Sequence, residues 1–451
     1  MTGNLNLAWL LTRGSDRREW WRVLLTAVGA ALATGLGLAA VAIASVRGQA
    51  HTPYFHGLLN QPGQRAGVVA TLLLLWVPVL GFLGQCARIG AVHRDRRMAG
   101  LRLAGATSRQ VRHIAALESG LACLLGAAVA AVFSALLLLN TVQQGLPLPA
   151  WAGFVLVTLA VPLLAVLVSV VALRRVVASP LGWVRRVRPG HGRVAVLALV
   201  VPAVLVGPAA LLITMRSTGP ETGALPLLVF STVALTGAGA VAVAGITARA
   251  TGGRLAARTG NPAILLAAER LRADPWATAR THAAVLLVAV VGVGFMGVRQ
   301  MFLDSVHHPR ESRPYSPEDV AFYTTGVNLA GAAVLVALLI SLAGLAVGTA
   351  ESLATRRRGL AAQAAAGVPL KVLGRALLLE TALPLAPAML LAAFGGTAVY
   401  VAYGTVVEAA AIPLLVPLLV PVAGYAACLL AAATSLPLLR RSAAPAELRF
   451  A

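Results

Sequence analysis

The sequence predicts an all-α protein that crosses a membrane ten times. Of its 451 residues, 59% are hydrophobic and only 12% are charged, whereas about a quarter of the residues are charged in an ordinary soluble domain. Ten apolar segments are each long enough to cross the hydrocarbon layer, which takes about 20 residues of α-helix. The basic residues are concentrated in alternate connections between these segments. Together these observations exclude a water-soluble fold.

The ten predicted spans form a group of four, a linking pair and a second group of four. Their approximate ranges are 23–46, 67–87, 114–139, 151–173, 194–214, 225–248, 283–303, 324–348, 376–403 and 414–438. The apolar core of the first span has about 24 residues, more than the roughly 7 to 15 residues in the apolar region of a signal peptide. We therefore expect the first span to be retained as a helix.

The distribution of basic residues predicts the orientation of the chain. The net charge is +22, from 37 basic and 15 acidic residues. With the amino terminus inside, the cytoplasmic segments carry 31 of the Lys and Arg residues and the outer loops carry 5. Because Lys and Arg concentrate in cytoplasmic loops, both termini are predicted to be cytoplasmic, in a plasma or inner membrane. The arginine-rich segment from Arg174 to Arg193 is expected to contact the anionic headgroups of membrane lipids, and no nucleic-acid partner is expected.

The two groups of four spans are related by an internal repeat. Residues 94–107 read RDRRMAGLRLAGAT, and residues 356–369 read RRRGLAAQAAAGVP. A glutamate follows the central glycine at the same interval in both copies, so that Glu118 follows Gly105 as Glu380 follows Gly367. An even number of crossings separates the copies, so the repeat is parallel.

The segments upstream of the two groups also correspond. Residues 4–13 read NLNLAWLLTR, and residues 261–270 read NPAILLAAER. The repeat predicts three domains, which are residues 1–175, the linking pair 176–255 and residues 256–451.

Each copy of the repeated block predicts a bent cytoplasmic connection, which we call an elbow. A basic cluster leaves the membrane, a mildly amphipathic helix follows, and Gly105 or Gly367 ends that helix in the left-handed conformation that suits glycine. The next helix begins with Thr107 or Ser108 as its N-cap in the first copy, and with Pro369 in its first turn in the second. A rigid elbow can transmit a push into two transmembrane helices.

The charged residues of the elbows have either a structural or a functional explanation. Each arginine, taken alone, is explained by membrane topology. Glu118 and Glu380 are explained either by the helix dipole or by a specific contact. Repetition of the whole block, with the glycine and the glutamate in register, favours a functional role.

The repeated block resembles the FtsX-like permease domain of MacB-type and related ABC transporters. The usual form in that family is close to RRREIxxLRxLGAxxxQVxxxxLxE, and residues 94–118 match it well. Residues 356–380 are a weaker copy, with Gln363 where an apolar residue is usual and Val-Pro where the family has Ala-Thr. The resemblance covers most of residues 23–175 and 283–440, and its specific signal lies in the elbow and the start of the following helix in each copy.

The resemblance implies that both elbows dock on a separate ABC ATPase subunit, expected to be a homodimer, whose closure moves the spans. It implies ATPase-coupling roles for Arg94, Arg96, Arg97, Gly105, Ala106, Thr107, Gln110, Arg112, Glu118, Arg356, Arg357, Arg358, Gly367, Pro369, Lys371 and Glu380. ATP and Mg²⁺ are expected on the ATPase, and no cofactor is expected on this chain. Family members often carry a large extracytoplasmic domain, but the longest outer loops here, at approximately 47–66 and 304–323, are far too short to form one.

No enzyme active site is predicted. The phosphate-binding loop G-x-x-x-x-G-K-S/T is absent, because the only lysine, Lys371, lacks the preceding glycines. The motifs H-E-x-x-H, G-x-S-x-G and paired CxxC are also absent. The three cysteines lie far apart in apolar runs, which favours buried free thiols over a disulfide framework or a metal site.

These features predict a permease subunit of an ABC transporter that moves a hydrophobic or amphipathic substrate. Two alternatives stay open: a mechanotransmission module that regulates an extracytoplasmic partner without moving cargo, and an ion-coupled secondary transporter. An ion-coupled transporter usually needs ionisable residues at membrane depth. Charge is nearly absent from the predicted spans, with Arg299 near the outer end of the seventh, and this near-absence favours energy supplied from outside the membrane.

Overall fold

The fold is taken from a computed structural model. It describes residues 17–46, 48, 54–60, 62–86, 103, 105–141, 148–177, 225–308, 315–406, 409 and 411–443. Within these residues the regular structure consists of thirteen α-helices and one 3-10 turn, without a strand. The predicted all-α class is thereby confirmed. The chain divides into two compact units, Met1–Arg188 and Pro189–Ala451.

The first unit contains five described α-helices. They are α1 (Arg17–Ser45), α2 (Pro62–Leu74), α3 (Trp76–Cys86), α4 (Ser108–Thr141) and α5 (Leu148–Val177), with the 3-10 turn at Tyr54–Gly57. Helix α1 packs against the other four. A β-carbon at Gly126 of α4 would collide with the carbonyl oxygen of Ala27 in α1. Small residues at such crossings let membrane helices approach closely.

The second predicted span is formed by two helices, α2 and α3, with a break at Leu75. Pro78 has no N–H to donate to the carbonyl of Leu74, four residues earlier. The next amide, that of Val79, reaches the carbonyl of Leu75 at 3.4 Å. Proline therefore accounts for the interruption of this span.

The second unit contains eight described α-helices. They are α6 (Leu225–Arg258), α7 (Pro262–Ala273), α8 (Pro275–His307), α9 (Pro317–Thr355), α10 (Arg357–Ala365), α11 (Leu370–Val406), α12 (Leu415–Ala433) and α13 (Leu436–Ser442). Helix α8 is central and packs against α6, α9, α11 and α12. Leu286 and Val290 of α8 are buried with Leu385 and Met389 of α11 in the main apolar core of this unit.

Eight helical segments among the described residues are long and apolar enough to cross a membrane. They correspond to the first three and the last five predicted spans. The fourth predicted span, 151–173, lies within α5, where Ala150–Leu164 is a shorter apolar helix. The fifth, 194–214, lies outside the described residues. The chain is a multi-pass membrane protein, whereas the ten-span arrangement and the three domains stay predictions.

Two expectations from the sequence are corrected. Glu118 and Glu380 already lie within the third and ninth predicted spans, 114–139 and 376–403, and both lie in span-forming helical segments, Leu117–Leu138 and Leu370–Thr405. It is therefore wrong that Arg299 alone brings charge into the spans. The predicted loop 304–323 is also shorter, because α8 continues to His307 and α9 begins at Pro317. Hydropathy marks membrane depth, whereas a helix continues through polar residues as long as its backbone hydrogen bonds are satisfied.

Candidate functional site

The second elbow consists of α10, the turn 366–369 and the start of α11. Helix α10 ends in a Schellman turn, in which the amide of Val368 donates to the carbonyl of Gln363 and the amide of Gly367 donates to the carbonyl of Ala364, both at 3.0 Å. Gly367 has a φ of +89°, a conformation in which other residues are strained. The left-handed glycine predicted at this position is confirmed.

An apolar cluster, which we call the elbow cluster, holds the second elbow against neighbouring helices. Its buried members are Leu353, Leu360, Leu373, Leu377, Leu439 and Ala443, and its partly buried members are Leu266, Ala364, Val368 and Leu436. These residues come from α7, α9, α10, α11, α13 and the turns after α10 and α13. Because closely packed side chains transmit displacement, a force on the elbow reaches the ends of all these helices.

Another surface of the second elbow, which we call the elbow tip, is exposed. It carries small, apolar and basic residues, which are Arg358, Gly359, Ala362, Ala365, Ala366, Gly367, Pro369, Leu370, Lys371 and Arg375. Leu370 is a large apolar side chain that is 42% exposed. The elbow tip contains no acidic residue, so it presents an apolar and positively charged surface.

Glu380 joins three separate segments of the second unit. The Nη1 atom of Arg356, at the junction of α9 and α10, donates to both carboxylate oxygens of Glu380, at 2.9 and 3.2 Å. The Nη1 atom of Arg270, in α7, lies 3.6 Å from Oε2 of the same carboxylate. Glu380 lies well beyond the first turn of α11, in which the helix dipole acts. A specific contact therefore accounts for this glutamate.

The ion cluster formed by Arg270, Arg356 and Glu380 is partly desolvated. The side chains of Glu380 and Arg270 are 14% and 15% exposed, and that of Arg356 is 35% exposed. Burial lowers the pKa of the Arg270 guanidinium from its ordinary value, and the Glu380 carboxylate opposes this shift. Arginine stays protonated near neutral pH, so one carboxylate faces two cations.

His282 is buried in α8. Its Nδ1 atom is 2.6 Å from the carbonyl oxygen of Thr278, and since a carbonyl only accepts, Nδ1 carries the hydrogen. In the neutral imidazole the Nε2 atom is then an acceptor. It is buried, and no hydrogen-bond partner for it occurs in the part of the chain that the structure describes.

The first elbow has a glycine turn and a capped helix in its described part. Gly105 has a φ of +95°, as predicted. Helix α4 begins at Ser108 and has Thr107 as its N-cap, since the amide of Gln110 donates to Thr107 Oγ1 at 3.3 Å. In return the amide of Thr107 donates to Gln110 Oε1 at 2.8 Å, which completes a capping box. Leu103, just before the turn, is 91% exposed.

Three other predicted coupling residues lie at or near the ends of the elbow helices and their turns. Nε of Arg357 donates to the carbonyl of Ala354 at 3.0 Å. Pro369 directly precedes α11 and is not in its first turn. Ala106 is half-buried in the turn after Gly105.

The remaining predicted residues belong to the first elbow. Glu118 is buried in α4 and takes part in an interaction there. Arg112 lies in α4, and its side chain falls outside the described part. Arg94, Arg96 and Arg97 lie outside the described residues.

Arg270 is a site residue that the sequence reasoning missed. The repeat identifies it only as the end of the segment 261–270. The signal that could have singled it out is the arginine at the same place in both copies, since residues 4–13 also end in arginine.

The site offers contact surfaces and ion pairs. No group of three His, Cys, Asp or Glu side chains that could hold a metal occurs among the residues that the structure describes. Cys86, Cys123 and Cys428 are buried free thiols, as their apolar surroundings predict. The arrangement is suited to binding another protein and to transmitting force.

Comparison with known proteins finds a family match that includes the first elbow. Residues 69–181 match the family model described as FtsX-like permease C-terminal. This range contains α3, α4, α5 and the whole first elbow, so the resemblance predicted from the sequence is confirmed there. The second elbow lies outside the matched range and has the repeated sequence pattern and the left-handed glycine in common with the first. No curated protein matches the chain.

Proposed function

We propose, because residues 69–181 match the FtsX-like permease C-terminal family model, that this chain is the permease subunit of an ABC transporter driven by a separate ATPase subunit. In this proposal ATP and Mg²⁺ bind to the ATPase, and this chain hydrolyses no ATP. The chain has two elbows, and each contacts one copy of an ATPase homodimer. Both elbows and both termini face the cytoplasm, where ATP is available.

The observation that carries this proposal is the combination of an exposed tip and a buried base in the second elbow. The tip presents Leu370 among small and basic residues, with no acidic residue. The buried side of the second elbow, which we call its base, is fixed to the span-forming helices by the elbow cluster and by the ion pair of Arg356 with Glu380. A surface that is exposed and also rigidly attached to the bundle suits a point at which a partner applies force.

The described part of each elbow also presents an exposed leucine to a partner. Leu103 is 91% exposed in the first elbow, and Leu370 is 42% exposed in the second. A few apolar anchors supply most of the affinity in protein interfaces. We therefore assign both leucines to the contact with the ATPase.

The test is copurification of the full-length chain with its ATPase from the native membrane. The purified material should hydrolyse ATP, and mass spectrometry should identify a subunit with a phosphate-binding loop. The double variant Leu103→Glu/Leu370→Glu should bind the ATPase at least about tenfold more weakly, as expected for loss of interface anchors. The isolated chain should hydrolyse no ATP.

The matched control is Leu265→Glu. Leu265 is 40% exposed, like Leu370, but it lies in α7, outside the elbow tip. This variant should bind the ATPase as the wild type does. An ATPase that remains fully bound to the double variant would contradict docking at the elbows.

We also propose that the substrate is hydrophobic or amphipathic. The span-forming helices carry large exposed apolar side chains, such as Leu335 and Leu339 in α9 and Leu390 in α11. Reconstituted complex should move a fluorescent phospholipid analogue between leaflets when ATP is added, and should not move a hydrophilic dye. Transport of the dye alone would contradict this substrate class.

An ion-coupled mechanism has less support from the site. Its strongest candidate in the second unit would be Glu380, which is acidic and lies inside a span-forming helix. The carboxylate of Glu380 is already paired with Arg356 and Arg270. A carboxylate held by two guanidinium groups is poorly suited to bind and release a driving cation.

A further inference from the structure

Arg270 connects the second elbow to a helix that is not part of it. The residue lies in α7, on the amino-terminal side of α8, and it contacts Glu380 of α11. The side chains of both residues are largely buried. Glu269, its neighbour in the chain, pairs instead with Arg272 in solvent. Glu380 is therefore the acidic partner of Arg270 among the described residues.

Helix α7 is fixed to α8 by the single residue between them. The backbone amide of Asp274 donates to the carbonyl of Arg270 at 3.2 Å and so ends α7. The side chain of Asp274 accepts a hydrogen bond from the amide of Ala277 at 3.0 Å and so begins α8. Pro275 follows with a restricted φ. A junction of one residue, hydrogen-bonded in both directions, leaves little freedom between the two helices.

A second contact of a different kind links α7 to the elbow. Leu266, one turn before Arg270, is a member of the elbow cluster and packs against its buried residues, which include Leu360 of α10 and Leu373 of α11. The apolar contact holds α7 close to the elbow. The ion pair makes the contact between α7 and α11 directional, because it joins one guanidinium of α7 to one carboxylate of α11.

We propose that Arg270 is a positioning residue that carries movement of the second elbow, through Glu380, to α7 and then to α8. This proposal rests on the proposed function, since the ATPase supplies the movement. A displacement at the elbow would then reach the central helix α8 by this route as well as α11 directly. Helix α8 packs against α6, α9, α11 and α12, so its displacement affects the packing of the whole second unit.

The test compares Arg270→Gln with Arg272→Gln in the full chain bound to its copurified ATPase, in lipid nanodiscs. Arg272 is the matched control, because it lies on the same helix but is 62% exposed and pairs with Glu269. Two readouts are needed. The first is the amount of ATPase bound per chain, which reports docking.

The second readout is the change, on adding ATP and vanadate, in the distance between spin labels at Ser305 and Glu318. Cys86, Cys123 and Cys428 are replaced first in all variants. Ser305 is exposed in the last turn of α8, and Glu318 is exposed at the start of α9. At about 1.5 Å per residue, Ser305 is about 45 Å from the beginning of α8, so the labels report transmission along the whole helix.

Arg270→Gln should bind the ATPase as the wild type does but should reduce the equilibrium constant of the ATP-driven distance change by about twofold to thirtyfold, the usual range for a residue that couples two sites. Arg270→Lys, which keeps the charge, should recover most of the response. Arg272→Gln should match the wild type in both readouts. If Arg270→Gln does not assemble, Glu380→Asp replaces it, with the same expectation.

A wild-type response in Arg270→Gln would overturn this inference and leave the proposed function intact. Loss of the ATPase from Arg270→Gln would also overturn it, because Arg270 would then act in docking. If the wild-type chain binds no ATPase at all, the proposed function fails and the inference fails with it.

Discussion

Replacing Glu380 by Gln should destabilise the second unit by about 2 kcal/mol, below the cost of breaking a fully buried ion pair. Gln keeps the size of the side chain and one carbonyl acceptor, but it removes the charge that faces Arg270 and Arg356. At the 3.6 Å between Arg270 and Glu380, two unit charges interact by about 4 to 5 kcal/mol at an effective dielectric constant of 20. This value is an upper bound for the Arg270–Glu380 pair taken alone, since desolvation of both groups offsets part of it.

The exposure of the three side chains sets the expected value below this bound. Breaking a fully buried pair costs about 3 to 5 kcal/mol, whereas an exposed pair contributes about 0.2 to 1 kcal/mol. Glu380 and Arg270 are close to the buried case, and Arg356, at 35% exposed, is closer to the exposed one. A cost of about 2 kcal/mol corresponds to a change of about thirtyfold in the unfolding equilibrium.

The measurement is the free energy of unfolding of the full chain in detergent micelles, by denaturant titration followed by tryptophan fluorescence. Glu269→Gln is the matched control, because Glu269 is 55% exposed and pairs with Arg272 on its own helix. We expect this control to change the free energy of unfolding by less than about 0.5 kcal/mol. Equal effects of the two substitutions would refute the reasoning that burial makes the Glu380 cluster important.

Three further pairs of substitutions can be measured by the same titration. Gly367→Ala should destabilise by about 1 kcal/mol, because alanine is strained at a φ of +89°. Gly359→Ala, in the first turn of α10 with open space around it, should stabilise by up to about 1 kcal/mol. The same sign for both would contradict the left-handed turn. Leu360→Ala should cost about 2 to 5 kcal/mol, because Leu360 is 1% exposed in the elbow cluster. Leu370→Ala, on the elbow tip, should change stability by less than about 0.5 kcal/mol, and a comparable loss in both leucine variants would show that the tip is packed. Gly126→Ala should cost about 1 to 3 kcal/mol by overpacking, because its β-carbon would meet the carbonyl oxygen of Ala27. Gly84→Ala, with open space around it, should not destabilise the protein. A neutral effect of Gly126→Ala would contradict the close crossing of α1 and α4.

The sequence by itself determined the all-α membrane class and the turns of the elbows. Both are local properties of the chain. A helix in lipid must satisfy its own backbone, so a run of apolar residues of sufficient length is enough to mark a span. Gly105 and Gly367 could be placed in left-handed turns because no other residue adopts that conformation as readily.

The sequence also indicated that Glu380 is important, but it left the reason open between the helix dipole and a specific contact. The repeat placed the glutamate in register with the glycine, which is a statement about position along the chain. The partners of the carboxylate come from other helices: Arg356 lies at the junction of α9 and α10, and Arg270 lies in α7, much earlier in the chain. Which arginines reach the carboxylate depends on how α7 and α10 pack against α11.

Tertiary structure alone decided two features. It brought Arg270 to Glu380, and it gathered the elbow cluster from α7, α9, α10, α11 and α13. Each depends on contacts or hydrogen bonds whose strength comes from burial between elements far apart in the chain. Local composition and periodicity carry no information about such distances, and for this reason the force-bearing connections of the elbow could be read only from the packed helices.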